Sequence, residues 1–386
     1  MREHGWARGA TLLVAAVLVV VGAPLAGATP SGSGASSPRR LRAGKPGELI
    51  SATPVIAPAG SRAWKVLYHS RALDGRDIEV SGVVVAPTSK PPSGGRPVVT
   101  WAHGTHGLAD MCAPSQAIDS TYRITGIHQF LKAGYVVAAT DYEGLGTPGQ
   151  HPYLVGESEG RGVLDIVRAA EQLPGADASA TTLIYGHSQG GQAALFAGQI
   201  APTYAPDLHV LGVTAVAPVS DLSDLLPEAS AAAPLVGYLV MAAVGLHTTY
   251  PIDLSAILTP QTLANLDVVD RLCSDDLVDY YAQFAPSQVV LQNPVDVPGV
   301  ASVLLDDRAG NVSTPAPLLV IQGDQDALVP KAETDAFVQR ACALGDRVDY
   351  RIYPGEDHVG ARDASVNDVA AWMADRVAGE PAPSTC

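Results

Sequence analysis

Residues 186–191 (GHSQGG) constrain this 386-residue chain more than any other segment. They follow a strand-like apolar run at 182–185 (TLIY) and open a helical stretch at 189–200 (QGGQAALFAGQI). Strand, tight turn and helix form the setting in which G-x-S-x-G acts as a nucleophile elbow. So sharp a turn holds Ser188 in a strained backbone, and a side chain at Gly186 or Gly190 would clash. The helix N-terminus also brings the Gln189 N–H to where negative charge would develop on a substrate oxygen. A chance pentapeptide in a chain with 38 glycines would lack these flanks.

The elbow sits within a repeating pattern. Runs at 63–70 and 78–86 read as an antiparallel hairpin turning at 73–77. Apolar runs at 97–102 (PVVTWA), 135–140 (YVVAAT), 211–217 (LGVTAVA), 317–322 (PLLVIQ) and 348–353 (VDYRIY) then alternate with helical stretches near 115–132, 160–173, 332–343 and 365–377. Continuous apolar strands separated by helices predict an α/β fold with a mostly parallel sheet covered on both faces. Residues 220–312 break the rhythm. They show no strand pattern and include the apolar stretch 235–246 (LVGYLVMAAVGL), which predicts a mainly helical cap inserted at the strand ends, where ligands bind. The expected organisation is a signal peptide at 1–28, a flexible leader at 29–46, a core at 47–219, the cap at 220–312 and the rest of the core at 313–386.

Composition narrows the partners. Lys and Arg number 24 against 39 Asp and Glu, for a net charge of −15, and 47% of residues are hydrophobic. A packed globule is expected, and phosphate backbones would be repelled, so nucleic acid is not an expected partner. Arg2 and Arg8, the apolar run 10–21, Pro24 and the small residues Ala26-Gly27-Ala28 read as a cleavable secretory signal. An exported, secreted chain favours disulfides. The four cysteines Cys112, Cys273, Cys342 and Cys386 have no CxxC spacing and allow three pairings. A monomer is expected.

A serine needs a base, and on this kind of core the order is Ser, acid, His. His358, in PGEDH after the run 348–353, is the one histidine beyond Asp326. Asp326, on the loop GDQDALVP after the run 317–322, is the expected acid, with Asp324 its rival; Asp357 reads as solvent-facing. The second oxyanion donor is expected from HGTHG at 103–107, through the Thr105 or His106 amide. His103 and His106 lack a third ligand at metal spacing, so no metal and no cofactor are expected. Asp141 and Glu143 read as residues that order their loop rather than as an acid/base pair.

Five segments together resemble the secretory lipase family: WAHGTHGLADMCAPS, ATDYEGLGTPGQHPYLVGESEGRGVLDIVRA, GHSQGGQAALFAGQIAPTYAPDL, LLVIQGDQDALVP and PGEDH. The resemblance spans roughly residues 50–380. It implies an α/β-hydrolase core with a mostly helical cap and cofactor-free hydrolysis of an ester or lipid substrate. It maps the nucleophile on Ser188, the acid on Asp326 and the base on His358, and it suggests the pairs Cys112–Cys273 and Cys342–Cys386. Triacylglycerol lipase activity with transient contact to a lipid interface is the leading expectation. A short-chain carboxylesterase, a serine peptidase on the same core and a non-catalytic lipid-binding protein stand as alternatives.

Overall fold

The computed structural model describes residues Ala43–Cys386; the expected signal peptide at 1–28 and the leader up to residue 42 lie outside the described residues. Nine strands form one sheet: β1 (Leu49–Val55), β2 (Ser61–Arg71), β3 (Asp77–Pro87), β4 (Arg96–Ala102), β5 (Val136–Thr140), β6 (Ala178–His187), β7 (His209–Val216), β8 (Leu318–Gly323) and β9 (Val348–Tyr353). Their spatial order is β1-β2-β3-β5-β4-β6-β7-β8-β9. The first four strands in this order pair antiparallel, and every pairing from β5–β4 onward is parallel. The mostly parallel sheet expected from the alternating runs is what forms.

Side chains on successive strand residues face opposite sides, and here both sides are buried. Val84, Val98, Ile184 and Val320 pack on one face with α2 (Gly156–Glu171), α3 (Gln189–Tyr204) and α10 (Lys331–Ala343). Val83, Val99, Leu183 and Ile321 pack on the other with α1 (Ile127–Lys132) and α11 (His358–Val377).

Residues 220–312 carry six α-helices: α4 (Leu222–Ala231), α5 (Val236–Thr249), α6 (Pro260–Ala264), α7 (Ser274–Ala282), α8 (Pro286–Val289) and α9 (Val300–Asp306). This insertion has its own apolar core around α5, whose residues 239–244 are all buried. A helix apolar on every side must be enclosed on every side. Polar groups fasten its two roots. The Ala309 N–H donates to the Ser220 carbonyl (3.0 Å), Glu333 accepts from the Ser220 and Asp221 amides (2.5 and 2.9 Å), and Asp307 accepts from the Gly156 amide (2.9 Å).

Three local readings need correction, and β1 (Leu49–Val55) has no counterpart among the strands expected from the sequence. β1 escapes the apolar pattern because it is an edge strand, largely exposed and interrupted by Pro54. Residues 43–46 are tied down rather than part of a leader: the Gly44 amide donates to Asp77 (3.0 Å). The stretch 115–132 is helical only from Ile127. Before it the chain makes short 3-10 turns at Asp110–Cys112, Pro114–Gln116 and Ser120–Arg123, ending at Gly126 with φ of 78°. Helix α11 begins at His358, seven residues before the expected start at 365, because the exposed Asp357 carboxylate accepts from the Val359 and Gly360 amides (3.2 and 2.7 Å) as an N-cap.

Cys112–Cys273 ties the loop after β4 to the insertion, and Cys342–Cys386 ties α10 to the C-terminus. The first closes 161 residues and the second 44. In the chain-entropy view these are worth about 5 and about 4 kcal/mol. Removing Cys112–Cys273 by paired Cys→Ser substitution is therefore expected to lower the urea midpoint more than removing Cys342–Cys386. Denaturation curves of the two variants check this, and the reverse order would contradict it.

Candidate active site

The elbow is held by backbone contact. Ser188 has φ of 60° and ψ of −122°. A Cβ on Gly186 would lie 1.8 Å from the Gly190 oxygen, and one on Gly190 would lie 2.0 Å from the Ala102 oxygen. No side chain fits at either position, and this close approach joins β6, α3 and β4. The Ser188 amide donates to the Val216 carbonyl on β7 (2.9 Å), which fixes the turn from the other side. As the first helical residue of α3, Gln189 has a main-chain N–H with no intrahelical acceptor.

His358 and Asp326 meet across the loops that follow β9 and β8. His358 Nδ1–H donates to Asp326 Oδ2 (2.7 Å). The other carboxylate oxygen accepts from the Leu328 and Val329 amides (both 2.9 Å), and Gln322 donates to Oδ2 (3.0 Å). Burial favours the neutral acid, but the hydrogen bond and charge of His358 and the two amides outweigh it, so Asp326 stays below the usual carboxylate range. With Nδ1 engaged, His358 Nε2 carries the lone pair. Nε2 is buried and has no partner, and Ser188 Oγ makes no hydrogen bond among the described residues. Asp324 does a different job: it is exposed and accepts from the Gly355 amide (2.7 Å), bracing one loop against the other.

His187, read from the sequence only as the variable position of the elbow, packs its ring 4.6 Å from that of His358. It donates Nε2–H to the His358 carbonyl (2.9 Å). Burial first, and His358 second, push its pKa down to about 3, so it stays neutral beside the site.

The loop after β4 reaches the elbow at Gly104, where an added Cβ would sit 3.6 Å from Ser188 Cβ. His103 and His106 both donate Nδ1–H to the Gly104 carbonyl (2.7 and 2.8 Å). Burial lowers both pKa values, that of His103 far more, so these are neutral packing residues. Among the described residues no cluster of three or more His, Cys, Asp or Glu could hold a metal. The insertion anchors the same loop. Ser274 Oγ donates to the Thr105 carbonyl (3.2 Å), and the Ser274 amide donates to the His106 carbonyl (2.9 Å). The Thr105 carbonyl belongs to the peptide unit of the His106 N–H, so this contact fixes the direction of that amide.

Asp141 and Glu143 lie in ordering contacts. Asp141 accepts from Ser81 Oγ (2.6 Å) and the Ser115 amide (2.9 Å), and Glu143 accepts from Ser158 Oγ (2.6 Å). Behind Gln189 lies a layer that sequence reasoning missed. The Gln189 carboxamide donates to Glu159 Oε1 (2.8 Å) and to His151 Nε2 (3.0 Å), and Glu159 also accepts from the Leu154 amide (2.9 Å). Glu159 is completely buried, which raises its pKa well above the ordinary value. In the sequence it lies just ahead of the helical stretch expected at 160–173 and belongs to no motif; in the structure it falls in the first turn of α2.

Ser188 lines a small cleft of about 60 Å³ between core and insertion. Its walls are mainly Leu222, Leu226, Leu239, Ala242 and Val329, with Thr105, Tyr153 and Tyr238 as polar members and Glu228 exposed. The arrangement pairs a serine hydroxyl and a carboxylate-oriented imidazole with an apolar chamber.

Known proteins match this chain along most of its length. The family model described as secretory lipase matches residues 111–385. A probable inactive lipase of Mycobacterium tuberculosis is 25% identical over 84% of this chain and 76% of its own length. A secreted triacylglycerol lipase of Malassezia globosa is 27% identical over 84% and 74%. Among solved structures, Candida antarctica lipase A in its closed state superposes with a TM-score of 0.76 at 20% identity, covering 89% of this chain and 84% of that one. The rice cell wall degrading esterase LipA of Xanthomonas oryzae gives 0.73 at 16% identity, covering 88% and 100%. These likenesses show an α/β-hydrolase fold, and with the family model matching most of its length, the chain belongs to the secretory lipase family.

Proposed function

We propose that the chain hydrolyses carboxylic esters, foremost lipid esters, with Ser188 as nucleophile, His358 as base and Asp326 as the acid that orients it. The observation that carries this reading is the 2.7 Å bond between His358 and Asp326, which leaves a buried, unpartnered Nε2 in the same site as a strained serine. The hydroxyl of Ser188 attacks the ester carbonyl while His358 Nε2 takes its proton. Asp326 stabilises the imidazolium without becoming protonated. The Gln189 amide, together with that of Thr105 or His106, binds the oxyanion. The imidazolium then protonates the leaving alcohol, and water repeats the sequence on the acyl-enzyme. The hydroxyl and Nε2 meet when substrate binds, as catalytic hydrogen bonds commonly tighten only in the substrate complex.

The apolar cleft supports acyl-chain binding, and the insertion acts as its cap. Export belongs to the same reading, supported by the two disulfides and by a relative named as secreted. The relative named as probable inactive makes non-catalytic lipid binding the competing reading. The intact Asp326–His358 pair weighs against it, because an acyl-binding protein has no need of an oriented imidazole.

Nitrophenyl esters from acetate to palmitate, run with wild type and Ser188→Ala, test the proposal. Turnover that persists to long chains and falls at least ~10³-fold in the variant is expected. Activity confined to acetate and butyrate would leave an esterase, and no turnover at any length would favour the binding protein.

The lowered pKa of Asp326 has a sign that can be checked. A carboxyl more acidic when folded contributes stability that is fully present above its ordinary value of 3.8 and is lost as pH falls through the native value. The stability difference between wild type and Asp326→Asn should therefore shrink on going from pH 6 to about pH 3. Urea unfolding at both pH values measures it, and a constant difference would contradict the assignment.

A further inference from the structure

We propose that the Thr105 hydroxyl, backed by Tyr153, is a third hydrogen-bond donor to the oxyanion at Ser188; the inference rests on the ester-hydrolase reading above. Thr105 and Tyr153 line the same cleft as Ser188. Thr105 Oγ1 and Tyr153 Oη lie 2.7 Å apart. Each hydroxyl carries one proton, and their mutual bond uses one of the two. Among the described residues the other proton has no protein hydrogen-bond acceptor, and the cleft is otherwise mainly apolar, with Tyr238 and the exposed Glu228 as its further polar members. An oxygen of the bound ester is the acceptor such a chamber admits.

Acidity decides which proton is left. A phenol is more acidic than an aliphatic alcohol, so Tyr153 donates to Thr105 Oγ1 and the threonine O–H turns toward the cleft. Burial raises the Tyr153 pKa well beyond its ordinary range, so the phenol keeps its proton wherever the enzyme works. When Ser188 Oγ bonds to the carbonyl carbon, the C=O π pair moves onto the oxygen. The hydrogen bond from the threonine O–H to that oxygen then shortens as the charge develops, and the threonine keeps its proton.

The pair is held in place before substrate arrives. Gly104, the residue before Thr105, abuts Ser188. The Thr105 carbonyl is fixed by Ser274 of the insertion. Tyr153 is 2% exposed, and its amide donates to the His151 carbonyl (2.9 Å). Gly245 of α5 presses on its backbone so closely that an added Cβ would lie 2.3 Å from the Tyr153 oxygen. Donors that need no reorganisation are the ones that stabilise a developing charge most.

Thr105→Val keeps the backbone amide and removes only the hydroxyl, so it separates this role from that of the amide. With p-nitrophenyl butyrate, the expected result is a kcat about 10²-fold lower with KM changed by less than about threefold. Tyr153→Phe should lower kcat about tenfold, Thr105→Ser should retain most activity, and the Thr105→Val/Tyr153→Phe double variant should be no worse than Thr105→Val. Urea midpoints near that of wild type establish that each variant folds. Unchanged kcat with altered KM or chain-length preference in folded Thr105→Val and Tyr153→Phe would overturn the proposal and leave the hydrolase reading intact. A wild-type protein without ester turnover would overturn both.

Discussion

The contact on which the molecule turns is the approach of Gly190 to the Ala102 carbonyl and of Gly186 to Gly190. It is a steric constraint, and it reaches far beyond two residues. Because no Cβ intervenes, the N-terminus of α3 lies directly over the carboxyl ends of β4 and β6. Ser188 is thereby lifted out of the sheet into a backbone conformation that L-residues rarely adopt. The hydrogen bond from the Ser188 amide to Val216 on β7 holds that strain in place. Ligands bind at the carboxyl ends of the strands in sheets of this kind, and the loops after β4, β8 and β9 converge on the same edge.

Around this point burial works against the charged forms of the ionisable groups. His103, His151 and His187 are buried and His106 is half-buried, all with pKa values pushed down, and Glu159 is buried with its value pushed up. Charge is retained at Asp326, where two backbone amides and an imidazole offset the cost of burial. That contrast suits a site in which charge is to appear only during reaction. The insertion takes part through Ser274 and Gly245, which hold the loops carrying Thr105 and Tyr153. The chamber is thus built across both parts of the fold.

Much of this was legible in the residues themselves, where local sequence determines local structure. The elbow could be read because its glycines, the strand before it and the helix after it are contiguous. The parallel strands could be read because both of their faces are buried, which makes them continuously apolar. Chain order singled out His358, and the disulfide pairs followed from the family resemblance. The rest depends on tertiary contact. β1 is exposed and carries no pattern, and the loop at 110–126 folds around its disulfide against its helical appearance. Tyr153, His151 and Glu159 owe their roles to what lies over them, and nothing in their spacing announces it.

The central claim is that Ser188 becomes covalently acylated with help from His358. Treating the protein with a fluorophosphonate and locating the adduct by peptide mass spectrometry tests it most directly. The account predicts one phosphonyl group on the peptide carrying Ser188, with labelling lost in His358→Ala. Modification at another residue, or a folded wild-type protein that takes up no label, would contradict it.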